Sequence, residues 1–393
     1  MKQLFKKFLL VLVFTSNIMA QTVDWNAKQI VITNKTELRE LASLVNGGVK
    51  NFDAQTITLA SDIDLEDVEW TPVGTLINPF KGVFDGGGFV ISGVFINDEN
   101  KNYVGLVGYL NGTIKNLGVI VNINAKDNVG GLAGISSGEK SIIENCFVSG
   151  TVTGSKYVGG LVGRNWSGSV KNCYAMVTVE GKEFGTGGLV GSNDSKGLVY
   201  NSYAAGNVKG NNSQFSYVGK LVGSCYIGVI ENSYALKESD GDKFVGYEEQ
   251  STISQNSGLK TEVQMKQQGS FFSWNFNDIW GINANINDGF PQLLVFGGEN
   301  DNVSIAHNPV AKINRNGVSF SGIISGQINL NLSAGNYVVE LYNLQGRIIS
   351  KTEINAINGV NAIELNFGNL SKGVFVLNVK RSGILVLVHK INR

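Results

Sequence analysis

Five copies of a doubly marked repeat constrain this 393-residue chain more than any other feature. The first marker is a short core: Val104-Gly105-Leu106-Val107-Gly108, Gly130-Gly131-Leu132-Ala133-Gly134, Gly159-Gly160-Leu161-Val162-Gly163, Gly187-Gly188-Leu189-Val190-Gly191 and Gly219-Lys220-Leu221-Val222-Gly223. Successive Leu positions are 26, 29, 28 and 32 residues apart. The second marker follows each Leu by 10 to 13 residues and centres on Asn116, Asn145, Asn172, Asn201 and Asn232. The last four of these continue as Cys146-Phe147, Cys173-Tyr174, Ser202-Tyr203 and Ser233-Tyr234. Units of this size cannot bury an apolar face alone, so they must stack.

Between the markers, short alternating runs such as Val177-Thr178-Val179 are broken by Gly, Asn and Ser, with no helical period. The chain holds 50 Gly and 45 Asn but only 4 Pro, a composition suited to many short strands and tight corners. Each unit therefore reads as strand, turn, strand, turn, and the stack as an all-β, parallel β-solenoid. Stacking puts the five Asn in one column, where their amides are expected to form a ladder. It puts Phe147, Tyr174, Tyr203 and Tyr234 in a second column, read as wall packing in preference to a sugar platform, and Cys146 directly beneath Cys173. Gly is expected where a turn needs positive φ or where no side chain fits. Three cysteines are too few and too odd for a disulfide framework, so free buried thiols are expected.

These residues resemble the GLUG repeat of secreted and surface bacterial proteins. The resemblance implies a right-handed parallel β-helix over roughly residues 28 to 296. The flanks agree with it: Thr36 to Val45 reads as a capping helix with Leu38, Leu41, Leu44 and Val45 on one side, and Trp274-Asn275-Phe276, Trp280 and Asp288-Gly289-Phe290-Pro291-Gln292-Leu293 read as a closing segment. The departures are Lys220 for the second Gly of the fifth core, and Cys225 where Asn165 and Asn193 stand in earlier units.

Outside the array, Lys2, Lys6 and Lys7 precede the apolar run Phe8 to Phe14 and small Ala20, the pattern of a secretory signal over 1-20. No later run is long enough for a transmembrane segment. Residues 21 to 309 hold 20 Lys plus Arg against 29 Asp plus Glu, a net of −9, whereas residues 310 to 393 hold 9 against 3, a net of +6. The split marks a boundary, and the acidic middle excludes nucleic acid as a partner. The expected organisation is 1-20 signal, 21-300 β-helix with cap and closing segment, 301-309 linker, and 310-393 a small C-terminal β-sandwich. Ser333-Ala334-Gly335-Asn336-Tyr337, Leu344-Gln345-Gly346-Arg347, Leu370-Ser371-Lys372-Gly373-Val374-Phe375 and Lys390-Ile391-Asn392-Arg393 resemble the C-terminal sorting domain of type IX secretion. That resemblance implies partnership with the secretion machinery and attachment outside the cell; of the usual Tyr-Pro-Asn-Pro opening, only Asn308-Pro309 is present.

Catalysis by parallel β-helices needs converging carboxylates, or a carboxylate bundle for Ca²⁺. The array's carboxylates Asp127, Glu139, Glu144, Glu180, Glu183, Asp194 and Glu231 are scattered, and only Glu144 and Glu231 share a repeat position. The dense group Asp62, Asp64, Glu66, Asp67 and Glu69 reads as a solvated loop, with Ca²⁺ binding as the alternative. His307 and His389 both lie outside the array. No catalytic residue, metal or cofactor is therefore assigned. The expected function is non-enzymatic: adhesin-like binding of glycan or extracellular matrix by the lateral face and tips such as Trp166, or passive service as a surface spacer.

Overall fold

The computed structural model describes residues 23–211, 216–284, 286–296, 319–324, 327–332, 334–343, 348–364, 374–381 and 384–392. The signal and the linker expected at 301-309 lie outside the described residues, as does His307. Strands make up 51% of the chain, and the parallel sheets form a β-solenoid of about 8 turns.

Successive turns hold a strict register. The amides of Leu132, Leu161 and Leu189 donate to the carbonyls of Leu161, Leu189 and Leu221, each at 2.9 Å. Leu106, Leu132, Leu161, Leu189 and Leu221 are all fully buried and belong to one core that runs from Ile30 to Ala235. A six-stranded sheet orders Val107–Leu110, Ala133–Ser137, Val162–Trp166, Val190–Asp194, Val222–Tyr226 and Val245–Glu249, with every neighbour parallel. The second marker enters a larger sheet in which Phe147–Gly154 pairs in parallel with Tyr174–Gly181.

The Gly-Gly pairs exist because the next backbone passes where a side chain would begin. A Cβ on Gly160 would lie 2.2 Å from the Gly188 carbonyl oxygen, and one on Gly188 the same distance from that of Lys220. Neither glycine has positive φ, so close approach is the reason for both. At Lys220 the amide donates to the Lys243 carbonyl of the next turn at 2.7 Å, and the ammonium pairs with Glu238 at 2.6 Å and Asp242 at 3.6 Å.

The two ends of the solenoid differ. The helix Lys35–Asn46, capped by Asn34 accepting from the Thr36 and Glu37 amides, buries Leu38, Leu41, Ala42 and Val45 against the first turns. At the far end Val245, Ile253 and Leu259 continue the core columns of Val222, Ile230 and Ala235 but are only half-buried. There Glu248 takes the column position that Asn165, Asn193 and Cys225 fill inside the stack. A charge at an inward position of a terminal strand discourages edge-to-edge pairing.

In the C-terminal segment, Ser319–Ile324, Gln327–Leu332 and Gly359–Glu364 form one antiparallel sheet. Gly335–Asn343, Ile348–Ala356, Val374–Arg381 and Ile384–Asn392 form another. Ile328, Leu330 and Leu332 of the first and Val339, Leu341 and Leu377 of the second share one buried cluster.

The expected asparagine ladder needs correction. Asn145 Nδ2 donates to Asn116 Oδ1 at 3.2 Å, and Asn116 Nδ2 to Asp85 Oδ1 at 3.0 Å. Beyond that step the side-chain oxygens of Asn145, Asn172 and Asn201 are buried without a partner. What the five residues share is the left-handed backbone, with φ of 53, 52, 49, 47 and 46° from Asn116 to Asn232. Asn is the non-glycine residue that tolerates this corner best. Rung-to-rung bonding falls instead to the next residue: the Cys173 amide donates to Ser202 Oγ at 3.0 Å and the Ser202 amide to Ser233 Oγ at 3.2 Å. Accordingly, Asn172→Ala is expected to lower stability by about 1 kcal/mol through left-handed strain, whereas Asn172→Gly costs less. Urea unfolding checks this; a ladder role would make the glycine variant the worse of the two.

Candidate ligand-binding face

Two aromatic rows run along the solenoid, and burial separates their roles. In the row read from the repeat, Phe147 stacks on Tyr174 at 5.1 Å and 10°, and Tyr174 on Tyr203 at 5.1 Å and 6°. Tyr234 continues the register. The closing segment covers this row with Phe271, Trp274, Trp280, Phe290 and Leu293. It is tied down by Tyr203 Oη donating to the Pro291 carbonyl at 2.6 Å and by Trp274 Nε1 donating to the Asn232 carbonyl at 2.7 Å. These rings are wall packing and present no face to a ligand.

The acidic stretch is divided among separate partners. Asp62 Oδ1 accepts from the Val90 amide at 2.8 Å, Asp64 Oδ1 from the Glu66 amide at 2.8 Å, Glu66 pairs with Lys35, and Glu69 pairs with Lys101 at 3.0 Å. Burial raises the Asp64 carboxyl above its usual range. Among the described residues no group of three or more His, Cys, Asp or Glu is placed to hold a metal ion. Cys146, Cys173 and Cys225 are buried free thiols, and burial, with Cys146 alongside, pushes the Cys173 thiol far up.

The second row is open at its rings, Trp166, Tyr226 and Tyr247, while Asp194, Ser192 and Ser224 between them are buried. Alternation along Val162–Trp166 turns Asn165 inward and Arg164 and Trp166 outward. Trp166 is in register with Asp194, and Asp194 with Tyr226 on the following turn. Arg164 Nε donates to Asp194 Oδ2 at 2.7 Å, and its guanidinium lies 4.2 Å from the Trp166 ring centre and 5.0 Å from that of Tyr157. Asp194 Oδ1 accepts from Ser192 Oγ at 2.9 Å, and Ser224 Oγ donates to Ser192 Oγ at 2.9 Å. Tyr157 meets Phe184 edge-on at 5.0 Å, and Tyr217 stacks on Tyr247 at 4.6 Å. Trp166 and Tyr226 are 42% and 43% exposed, far more than any ring of the covered row. Tyr157 adopts φ of 54°, and the same repeat position holds Tyr103, with φ of 59°, Asn128, Gly185 and Tyr217 in other turns.

Comparison with known proteins agrees with both halves of this architecture. Residues 127–153 and 154–180 match the GLUG motif, and residues 324–392 match the secretion system C-terminal sorting domain. The chain carries GLUG repeats and a type IX sorting tail. The tail marks it for export and attachment at the cell surface. Among the described residues, no helix is long and apolar enough to cross a membrane. The chain is 34% identical to a protein of Evansella cellulosilytica whose name describes it as a Gly-rich membrane protein, over 58% of this chain and 40% of that one. It is 41% identical to Halomucin of Haloquadratum walsbyi over 24% of this chain and 1% of that protein. The chain thus spans well under two thirds of either relative.

Of this GLUG-repeat protein's open face, the sequence singled out Trp166 alone. Asp194 and Tyr226, like Trp166, each fall five residues after the core Leu of their turn, so that column was within reach of the spacing; the register adds Arg164 and Tyr247 beside it. The covered row supplies a pH test. Burial raises the Tyr174 and Tyr203 hydroxyls far above their ordinary value, and Tyr234 is raised for the same reason. Their stabilisation is fully present below the unfolded value of about 10 and is lost as pH rises above it. Absorbance titration is expected to show these phenols ionising only together with loss of the β circular dichroism signal; ionisation in the folded protein would contradict the packing described.

Proposed function

We propose that this exported GLUG-repeat chain is a non-catalytic, adhesin-like rod that binds glycan on its open lateral face. The observation that carries the reading is the exposed row of Trp166, Tyr226 and Tyr247 beside the Arg164–Asp194 pair. Ring faces offer large apolar contact area at low entropic cost, while guanidinium, carboxylate and hydroxyl groups offer the donors and acceptors that fix a polyol's orientation. A passive spacer has no need for exposed rings gathered on one face. Catalysis is disfavoured because both Asp194 oxygens are already bonded and Glu249 accepts from Tyr247 Oη at 2.6 Å, which leaves no free acid and base across one bond.

On a glycan array the mature protein is expected to retain specific ligands, and Trp166→Ala with Tyr226→Ala is expected to lose them without a change in melting temperature. An array with no signal, beside intact binding to extracellular-matrix proteins, would redirect the reading to a protein ligand. Incubation with pectin, alginate and xylan, with and without Ca²⁺, is expected to release no new reducing ends or unsaturated products. We further propose that the basic segment from residue 310 is the exported address. Truncation at residue 309 is expected to leave a folded solenoid that cell-surface labelling no longer detects.

A further inference from the structure

We propose that the loop tip Leu76-Ile77, with Val49 and the lysines Lys50 and Lys81 beside it, docks on a lipid surface that presents phosphate headgroups. This surface lies at the helix-capped end of the solenoid, and the proposal is independent of the glycan reading.

The tip itself is the first observation. Between Val73 and Phe80, both buried in the core, the chain runs out through Gly74-Thr75-Leu76-Ile77-Asn78-Pro79. The Thr75 amide donates to the Asn78 carbonyl at 2.9 Å and the Asn78 amide to Thr75 Oγ1 at 3.0 Å, which leaves Leu76 and Ile77 at the apex. An apex favours Gly, Asn, Asp or Ser. This one carries two aliphatic residues, 59% and 87% exposed, and Val49, which lines the same cleft as Ile77, is 68% exposed. One exposed aliphatic residue is ordinary, but three gathered at one place mark a surface that meets another apolar phase.

Charge is the second. The cleft beside the tip has a volume of about 370 Å³, and its only charged lining residues are Lys50 and Lys81. Among the described residues neither lysine makes an ion pair. No carboxylate lines the cleft; Asp53, the nearest in sequence, is not among its walls. Residues 21 to 309 carry a net charge of −9, so two unpaired lysines without a neighbouring acid depart from their setting. They draw anions, and aliphatic residues beside them suit the acyl boundary beneath a phosphate layer. A free phosphate would use the lysines but not Leu76 and Ile77.

The third is preorganisation. Asn46, the last residue of the capping helix, holds the loop on both sides: its Oδ1 accepts from the Gly74 amide at 2.7 Å and its Nδ2 donates to the Pro72 carbonyl at 2.9 Å. Asn78 Nδ2 donates back to the Asn46 carbonyl at 3.0 Å. Gly48, at φ of 69°, brings Val49 and Lys50 against this latch, where a Cβ would lie 3.1 Å from Asn78 Nδ2. A tip held this way gives up little conformational freedom on docking. The sorting tail marks the chain for the cell surface, where lipid headgroups are at hand.

The test is flotation of the mature full-length chain with vesicles of phosphatidylcholine alone and of phosphatidylcholine mixed with phosphatidylglycerol. Binding is expected to the mixed vesicles and to fall in high salt. Each lysine near an anionic surface is worth roughly fivefold, so Lys50→Gln with Lys81→Gln should weaken binding about tenfold or more. Leu76→Ser with Ile77→Ser should weaken it by a similar factor, and neither pair should change the melting temperature, because the four side chains lie outside the core. Cys146, Cys173 and Cys225 are buried, so an environment-sensitive fluorophore on Ile77→Cys reports the tip alone, and its emission should shift to the blue on the mixed vesicles. Binding unchanged by both variant pairs, as attraction to the basic C-terminal segment would give, would overturn the proposal. So would equal binding to phosphatidylcholine alone, full displacement by inorganic phosphate without a fluorescence shift, or a dimer in sedimentation that Leu76→Ser with Ile77→Ser dissolves.

Discussion

Parallel backbone pairing from turn to turn is the interaction on which everything else depends. Each amide of the Leu core reaches the carbonyl of the next turn, and this is achieved by deleting side chains where backbones cross. Once that spacing is set, every repeat position becomes a column. The Leu column fills the interior, the Asn column turns a left-handed corner, and the Cys/Ser column receives amides from the turn before. A single core residue thus acts by setting the position of several others. The stacking also makes the molecule quasi-one-dimensional, so its ends need treatment that its middle does not. One end has the helix cap; the other carries Glu248 on an inward column.

The same columns explain how one scaffold separates structure from display. Two aromatic rows run along the axis on different sheets. One is closed beneath Trp274 and Trp280, and the Tyr203 and Tyr234 hydroxyls are bonded to the segment that covers them. Among the described residues the other keeps Trp166, Tyr226 and Tyr247 exposed, and its rings alternate with charged and hydroxyl groups instead of with further rings. The sorting tail marks the chain that carries this face for the cell surface.

Much of the fold was legible from the sequence because repeat period is a one-dimensional signal. Two markers in fixed order, with Gly at the crossing points, require stacked strands; the Leu and aromatic columns follow from arithmetic alone. The reason for the Asn column was less legible. A column of amides invites a ladder, yet adjacent left-handed corners leave three of the side-chain oxygens without partners, and the backbone angle is what the five residues have in common. Lys220 was visible as a departure, but its ion pairs with Glu238 and Asp242 depend on how the folded turn after it lies, which no spacing rule encodes.

By itself the sequence determined the parallel stack, the capping helix, the buried thiols and the exported surface class, because each follows from local pattern or from a residue type with few alternatives. Only the tertiary structure decided which aromatic row is open. Phe147, Tyr174, Tyr203 and Tyr234 are regular in sequence and therefore conspicuous, yet a segment more than thirty residues beyond the last of them folds back and covers the row. Trp166, Asp194 and Tyr226 each fall five residues after a core Leu but differ in type, so spacing gives their column and only the fold shows that its two rings are exposed while Asp194 between them is buried. Periodicity records what every turn must do to stack; the exposed face is set by residues in which the turns differ, and their meeting is fixed by the register of the folded rod.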